Sequence, residues 1–135
     1  MKWELLITIV LKVCFPFSDI LSINCPATKE TENIINAKTL EYFPTGAIIT
    51  NSARGDMIDD EAMINALNRR KIYALGLDVY KGEPNLHPGY LNIKDVFILP
   101  HLGSATKETR TAMANLAIDN LDEFFKTGNC KNKVN

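Results

Sequence analysis

Short apolar runs alternate with amphipathic segments along most of the chain. Four runs are typical of buried strands, because each is a continuous series of mainly aliphatic residues closed by polar, glycine or proline residues. These runs cover residues 20–23, 47–51, 72–77 and 96–99. The strands of a parallel sheet have this composition because helices cover both of its faces. The pattern therefore predicts an α/β fold with a parallel sheet and flanking helices.

Two helices are predicted between the strands. Asn36 can cap a helix over residues 37–43, because its side chain can accept hydrogen bonds from the first helical turn. Asp59 or Asp60 opens a second helix, in which apolar residues recur with the period of a helix. These apolar residues are Ala62, Met63, Ala66 and Leu67. Helices in these places are what a parallel sheet requires of its connections.

A third and longer helix follows the last strand. Ser104 can cap its beginning, and Gly128 marks its end, since glycine readily adopts the left-handed conformation that closes helices. Its apolar residues recur at helical spacing and fall on one face. They are Met113, Leu116, Ala117, Leu121 and Phe124. The spacing predicts an amphipathic closing helix.

The N-terminal segment, residues 1–17, is apolar from residue 5 onward but is interrupted by Lys12. A membrane span needs about 20 apolar residues, so this segment is too short to cross a bilayer. It resembles a signal peptide only weakly, because Glu4 lies near its start and no small-residue cleavage site follows. We interpret it as an apolar strand or leader that precedes the domain formed by residues 18–135.

The composition excludes several function classes. A length of 135 residues suits one domain, and 46% hydrophobic with 23% charged residues is typical of a folded chain. The formal net charge of −1 lacks the basic excess that nucleic acids or anionic membranes require. Cys14, Cys25 and Cys130 are far apart and form no C-x-x-C pair, so neither a disulfide framework nor a metal site is indicated. We therefore expect a cytoplasmic, reducing environment.

The glycines are informative by their spacing. No two of the seven lie two residues apart, so the phosphate-binding pattern G-x-G-x-x-G cannot be written anywhere in the chain. These residues are Gly46, Gly55, Gly76, Gly82, Gly89, Gly103 and Gly128. A helix N-terminus after such a turn normally holds the pyrophosphate of a dinucleotide. The sequence contains no such turn.

Polar and reactive residues follow each predicted strand. In an open parallel sheet the carboxyl ends of the strands meet at one edge, where ligands bind. The residues after the four strands are, in order, Asn24, Cys25 and Pro26; Ser52, Ala53, Arg54 and Gly55; Asp78 and Glu83; and His101, Gly103 and Ser104. The sequence therefore predicts one site that gathers an arginine, a glutamate and a histidine.

Two of these residues suggest acid–base chemistry on a small carboxylic acid. Arg54 can bind a carboxylate with two parallel hydrogen bonds, although a surface ion pair is the plainer interpretation. His101 can exchange a proton near neutral pH, and Glu83 can orient its ring, although a packed structural histidine is equally consistent. Asp78 can accept a hydrogen bond from a ligand amide, or it can stabilise a turn. His87 is interpreted as a surface residue. A 2-oxoacid reductase, a lyase, an isomerase and a binding domain all remain compatible with these residues.

Four blocks in sequence order resemble the D-isomer-specific 2-hydroxyacid dehydrogenases, in particular the glyoxylate/hydroxypyruvate reductase branch. The first block, residues 18–31, reads S-D-I-L-S-I-N-C-P-A-T-K-E-T, and the second, residues 50–55, reads T-N-S-A-R-G. The third, residues 74–84, reads A-L-G-L-D-V-Y-K-G-E-P, and the fourth, residues 99–110, reads L-P-H-L-G-S-A-T-K-E-T-R. The resemblance implies a doubly wound, Rossmann-like sheet and an NAD- or NADP-dependent reduction of a small 2-oxoacid.

The resemblance also implies a role for individual residues. Arg54 would bind the substrate carboxylate, His101 would give a proton to the carbonyl oxygen, and Glu83 would pair with His101. The implied substrate contacts are Arg54, His101 and Ser104. The implied cofactor contacts are Cys25, Pro26 and Thr31 beside the adenosine half, Ser52, Ala53 and Arg54 near the nicotinamide ribose, Asp78 on the carboxamide, and His101 and Gly103 close by.

The chain also departs from the family pattern. A substrate-binding region and the strand–turn–helix with the glycine fingerprint normally precede the strand that begins near Asp19. Residues 18–135 therefore correspond to the second half of a cofactor domain with its closing helix, and the first half is missing. Such a half-sheet would expose an edge, so the alternative is a non-catalytic module that forms a homodimer or pairs with a full-length subunit.

Overall fold

A computed structural model of the protein describes residues 11–134. The chain divides into two compact units, Met1–His101 and Leu102–Asn135. The structure does not describe residues 1–10 of the first unit or residue 135 of the second. Among residues 11–134, no helix is both long and apolar enough to cross a membrane.

The first unit contains a four-stranded parallel sheet. Its strands are β1 (Ile20–Ile23), β2 (Ala47–Asn51), β3 (Ile72–Leu77) and β4 (Val96–Ile98), in the spatial order β1-β2-β3-β4. All three pairings are parallel, which confirms the predicted α/β class and the Rossmann-like sheet. The last strand is one residue shorter than predicted, although the Leu99 N–H still donates to the Leu77 carbonyl at 2.8 Å.

The register aligns the carboxyl ends of the strands. Ile23 of β1 pairs with Asn51 of β2, Asn51 with Leu77 of β3, and Leu77 with Ile98 of β4. Because the strands end at one level, the loops that follow them emerge at the same edge of the sheet. The residues predicted for the site lie in these loops.

Two helices connect the strands of the sheet. α1 (Ala37–Leu40) is capped by Asn36, as predicted, but is shorter than residues 37–43. The chain tightens after Leu40 because the Phe43 N–H donates to the Leu40 carbonyl three residues back, at 3.3 Å. α2 (Asp60–Asn68) begins after Asp59, whose carboxylate accepts from the Ala62 N–H at 3.1 Å. Asp59 is therefore the cap, rather than Asp60.

The core lies between the sheet and α2. Met63, Ala66 and Leu67 of α2 are buried, with at most 3% of their surface exposed, as the helical spacing predicted. They pack in one cluster with Ile49 of β2 and Leu75 of β3. Burying a side chain such as methionine or leucine contributes roughly 1.5–3 kcal/mol, so this layer fixes the sheet on which the loops stand.

The first described residues of the chain are helical. Residues 11–14 are α-helical, and a 3₁₀ turn, Phe15–Phe17, follows. The Phe15 ring stacks on Phe43 with centroids 4.2 Å apart, which anchors this segment to the core. The prediction of a strand is therefore wrong for residues 11–17, where Phe15 is buried against the core from a helical turn. The predicted leader's residues 1–10 lie outside the described residues.

The second unit contains the long helix α3 (Lys107–Thr127), which ends at Gly128 in the left-handed conformation, with φ of 75°. Ser104 is not its cap. The Thr106 hydroxyl accepts from the Thr109 N–H at 3.1 Å, and the two hydroxyls are 3.0 Å apart. Thr106 therefore begins the helix two residues later than predicted, because it can satisfy the first turn.

Candidate active site

An open cleft of about 520 Å³ lies at the carboxyl ends of β1 and β2. It is lined by Asn24, Cys25, Pro26, Ala27, Ser52, Ala53 and Arg54. Five of the residues predicted to contact a cofactor are thus brought together in one place. Ser52 donates a hydrogen bond to the Asn24 side chain at 3.2 Å, which links the loops on the two sides of the cleft.

Arg54 owes its position to a buried asparagine. Asn51, the last residue of β2, is only 1% exposed, and its amide donates to the Arg54 carbonyl at 2.8 Å. Its side-chain oxygen accepts from the Ala53 N–H at 3.0 Å. A buried amide with both ends bonded fixes the backbone around it. The Arg54 side chain itself is exposed, with Nη1 donating to the Ala53 carbonyl at 2.6 Å.

His101 and Glu83 form the predicted pair. His101 Nδ1 lies 2.8 Å from Glu83 Oε2, and the Tyr80 N–H donates to the other carboxylate oxygen at 3.0 Å. Because a carboxylate only accepts hydrogen bonds, Nδ1 carries the proton. The hydrogen bond from His101 holds the pKa of the Glu83 carboxyl below its ordinary value, and the Tyr80 N–H acts in the same direction. Glu83 is therefore held as a carboxylate that orients the imidazole.

The backbone of His101 is unusual. Its φ is +57°, in the left-handed region that residues other than glycine seldom adopt. Such conformations cluster at functional sites, where the surrounding structure maintains them. The side chains of the pair are partly open to solvent, with 46% of His101 and 31% of Glu83 exposed. A small ligand can therefore reach the imidazole.

The other predicted site residues are placed as follows. Thr31 is buried, and its hydroxyl donates to the Pro26 carbonyl at 2.8 Å and accepts from the Thr28 N–H at 2.8 Å. It holds the loop that forms one wall of the cleft. Asp78 directly follows β3, and its N–H donates to the Asn51 carbonyl at 3.0 Å. Gly103 and Ser104 belong to the second unit, where both are exposed.

His87 lies apart from these residues and is at the protein surface, with 32% of its side chain exposed beside Glu61, which is 82% exposed. It is half-buried, its Nδ1 accepts from the Gly89 N–H at 3.1 Å, and its Nε2 lies 3.1 Å from Glu61 Oε1. Nearby, the buried Tyr90 hydroxyl donates to Asp60 at 2.8 Å. Burial, together with this hydrogen bond, raises the pKa of Tyr90. These contacts tie the 3₁₀ turn Pro88–Tyr90 to the start of α2.

The sequence analysis missed two positioning groups, the Asn51 amide and the Tyr80 N–H. A signal existed only for Asn51, because a polar side chain that ends a buried apolar strand must find hydrogen-bond partners. The Tyr80 group acts through the backbone, and the type of a residue does not reveal a backbone contact.

The cleft suits part of a dinucleotide. Its small side chains at Ala27, Ser52 and Ala53 leave the backbone open to a ligand, and Ser52 and Asn24 bring polar atoms to its rim. The chain has no G-x-G-x-x-G turn for the pyrophosphate. Within the described residues, no group of three or more histidine, cysteine, aspartate or glutamate side chains is placed to hold a metal ion.

Comparisons with known proteins identify the family of the chain. Residues 8–103 match the model of the D-isomer specific 2-hydroxyacid dehydrogenase NAD binding domain, a match that begins within the N-terminal segment left unassigned by the motifs. Glycerate dehydrogenase of Hyphomicrobium methylovorum is 41% identical over 80% of this chain and 34% of its own length. Glyoxylate reductase 1 of Saccharomyces cerevisiae is 41% identical over 82% of this chain and 32% of its own length. The chain thus spans about one third of these relatives.

A solved structure is similar over most of the chain. The NADPH-dependent glyoxylate/hydroxypyruvate reductase of Sinorhizobium meliloti, in complex with NADP and malonate, superposes with a TM-score of 0.83 at 35% identity. The match covers 89% of this chain and 38% of that structure. Fold, motif blocks and relatives agree, and the chain belongs to the D-isomer-specific 2-hydroxyacid dehydrogenase family, within its NAD-binding domain.

Proposed function

We propose that this chain carries the substrate-binding arginine and the proton donor of an NAD(P)-dependent reductase that converts glyoxylate or hydroxypyruvate to the 2-hydroxyacid. The observation that carries the proposal is the His101–Glu83 pair, 2.8 Å apart at the edge of the sheet where Arg54 also emerges. The similar Sinorhizobium meliloti structure holds NADP and malonate, a small carboxylic acid. Glyoxylate and hydroxypyruvate also carry a carboxylate group.

Arg54 binds the carboxylate of the substrate in this proposal. A guanidinium can hold a carboxylate with two parallel hydrogen bonds, which fixes the direction of the neighbouring C2 carbonyl as well as its distance. Asn51 holds the backbone from which the guanidinium extends. Such positioning removes orientational freedom before the reaction and lowers the barrier accordingly.

His101 supplies the proton. A nicotinamide, when bound, provides the hydride that reaches the C2 carbon, and the carbonyl π electrons move to the oxygen. The doubly protonated imidazole then gives the Nε2 proton to that oxygen, while Nδ1–H stays bonded to Glu83. The carboxylate stabilises the charged imidazole before the transfer and holds the neutral tautomer afterwards.

The cofactor residues are proposed on the same basis. Cys25 and Pro26, in the loop held by Thr31, would contact the adenosine half. Ser52, Ala53 and Arg54 would lie along the nicotinamide ribose, with Asp78 at the carboxamide and Gly103 nearby. Ser104 would contact the substrate. Cys14, Cys25 and Cys130 are free thiols, which suits work in a reducing cytoplasm.

Absorbance at the nicotinamide band tests the activity, and NMR tests the binding. With glyoxylate and NADPH or NADH, we expect turnover well below that of a full-length relative, because the chain lacks the glycine-rich turn for the pyrophosphate. Oxamate, a stable amide analogue of glyoxylate, is expected to shift the Arg54 and His101 resonances. Turnover equal to that of the relative contradicts the first expectation. Absence of oxamate binding contradicts the substrate assignment.

A second function is favoured by the outer edge of β1. Ile20 is 68% exposed there, and within residues 11–134 β1 pairs with β2 alone. An apolar strand with an unpaired edge is a template for another strand. The chain would then be a non-catalytic module that forms a homodimer or joins a full-length subunit. Light scattering of the chain, alone and mixed with a full-length relative, tests this, and a monodisperse monomer in both samples contradicts it.

A further inference from the structure

Gly55 lies where two backbone segments of the proposed site come into contact. It follows Arg54 and opens the 3₁₀ turn Gly55–Met57. A Cβ atom on Gly55 would lie 2.5 Å from the Tyr80 carbonyl oxygen and closer still to the Tyr80 carbonyl carbon and the Lys81 nitrogen. Real Cβ atoms do not approach other atoms so closely. Glycine is therefore required for the two segments to touch at this point.

The obstacle at Gly55 is backbone, which distinguishes it from the other glycines whose surroundings the structure describes. A Cβ on Gly89 would meet the Cδ1 atom of Ile64 at 2.6 Å, the far end of a side chain that can rotate away. A Cβ on Gly76 would meet the Thr50 methyl at 3.3 Å. At Gly55, by contrast, one of the two chain segments must move.

The contact joins the two halves of the proposed site. On one side, Gly55 is covalently next to Arg54, whose carbonyl is held by Asn51. On the other side, the Tyr80 N–H donates to Glu83, and Glu83 pairs with His101. The separation between the arginine and the proton donor therefore depends on how closely Gly55 packs against the Tyr80–Lys81 peptide.

We propose that Gly55 is a positioning residue, and that its close packing against the Tyr80–Lys81 peptide sets the distance between Arg54 and the Glu83–His101 pair. The inference rests on the proposed function. It implies that the site selects 2-oxoacids over acids whose carbonyl lies farther along the chain, because a carboxylate on Arg54 and a carbonyl oxygen at His101 must be engaged together. A displacement of about 1 Å can reduce a rate by roughly 10²-fold, so this spacing matters.

The experiment compares Gly55→Ala with Gly89→Ala in the full chain. In Gly55→Ala the Tyr80 amide should move away from Glu83. We therefore expect the pKa of the Glu83 carboxyl, measured by ¹³C NMR, to rise by a small amount, because the hydrogen bond from His101, the larger cause of its lowered value, remains. The Tyr80 amide resonance should stop following the Glu83 titration. Oxamate should bind roughly tenfold more weakly, because a charge-assisted contact is lost while Arg54 remains. Gly89→Ala should match the wild type in all three measurements.

A folded Gly55→Ala chain with an unchanged Tyr80 amide and Glu83 pKa would overturn the proposal. If Gly55→Ala does not fold, measurements on the wild-type chain test the proposal instead. The proposal requires a nuclear Overhauser effect between the Gly55 α protons and the Lys81 amide proton, and a Tyr80 amide whose shift follows the Glu83 titration. The absence of either overturns it. If wild-type chain binds no oxamate, the proposed function fails, whereas the Glu83 and Tyr80 measurements still test the role of Gly55.

Discussion

The two histidines of the chain each pair with a glutamate, and the pairs differ in the contacts of the second ring nitrogen. His87 uses both nitrogens within the protein, because Nδ1 accepts from the Gly89 N–H and Nε2 faces Glu61. His101 turns Nδ1 to Glu83, which the Tyr80 N–H holds in place from its other oxygen. A histidine with both nitrogens engaged stabilises a turn. One that is oriented through Nδ1 can direct Nε2 at a ligand.

The surroundings of the two pairs also differ, since one pair lies in a structural cluster and the other at the edge of the sheet where ligands bind. His87 stands beside the buried Tyr90, with the rings edge to face at 6.1 Å, and the cluster fastens a turn to α2. His101 stands in a left-handed backbone conformation at the carboxyl edge of the sheet, where Arg54 also emerges. Residue type and partner are the same in both pairs. Backbone placement therefore separates the site from the structural contact.

Removal of the arginine is expected to have the largest effect on ligand binding. Arg54→Gln should weaken oxamate binding by about 10- to 100-fold, because charge-assisted hydrogen bonds contribute roughly 1.5–3 kcal/mol. Arg69→Gln is the matched control, since Arg69 pairs with Glu41 on the surface at 2.8 Å. Isothermal titration calorimetry measures both. Equal affinities for the two variants would remove Arg54 from the site.

Disruption of the His87 region should change stability and leave binding intact. Tyr90→Phe should lower the free energy of unfolding by about 2 kcal/mol, because it leaves Asp60 without its buried hydroxyl partner. Tyr73→Phe, at a position 52% exposed, should change it by less than about 0.5 kcal/mol. Urea denaturation gives these values. A loss of oxamate affinity in Tyr90→Phe would connect the two regions and contradict their separation.

Exchange of each histidine tests the comparison itself. His101→Asn should weaken oxamate binding by roughly tenfold, since one hydrogen bond to the ligand is lost. His87→Asn should leave the affinity unchanged and should cost about 0.5–1 kcal/mol of stability, the ordinary value of a partly exposed pair and turn contact. The same calorimetric and urea measurements apply. Similar affinities in both variants would mean that the pairs are equivalent.

The acid dependence of Glu83 is expected to give the smallest effect. The pKa of its carboxyl is lowered in the folded chain, so its contribution to stability is fully present above the ordinary value of 4.5 and is lost as pH falls through the lower folded value. The difference in unfolding free energy between wild type and Glu83→Gln should therefore shrink as the pH falls below 4.5. A difference that grows in acid would have the wrong sign.

Most of the fold could be predicted from the sequence, because each strand is a continuous apolar run that ends at a proline, glycine or polar residue. The errors arose where tertiary contacts decide. Residues 11–17 are helical, and Phe15 packs on Phe43 there. Ser104 and Thr106 are both good caps, and the pairing of Thr106 with Thr109 selects the second.

The site could be predicted only as far as residue type carries the information. Arg54 and His101 lie in the loops that follow β2 and β4, so their types and positions indicate chemistry. The family resemblance indicated Glu83. Gly55 and Tyr80 act through a backbone contact between segments far apart in the sequence. Both residues stand in the motif blocks, but neither the periodicity nor the residue types show that the two segments touch. Packing alone brings it about.

The central claim is that Arg54 and His101 belong to one site for a small 2-oxoacid and that His87 does not. An NMR titration of the wild-type chain with oxamate tests it most directly. We predict that the Arg54 side-chain NεH signal and the His101 ring signals shift together and saturate with one dissociation constant, while the His87 ring signals stay in place. The absence of a saturable shift at Arg54 and His101, or an equal shift at His87, would contradict the account.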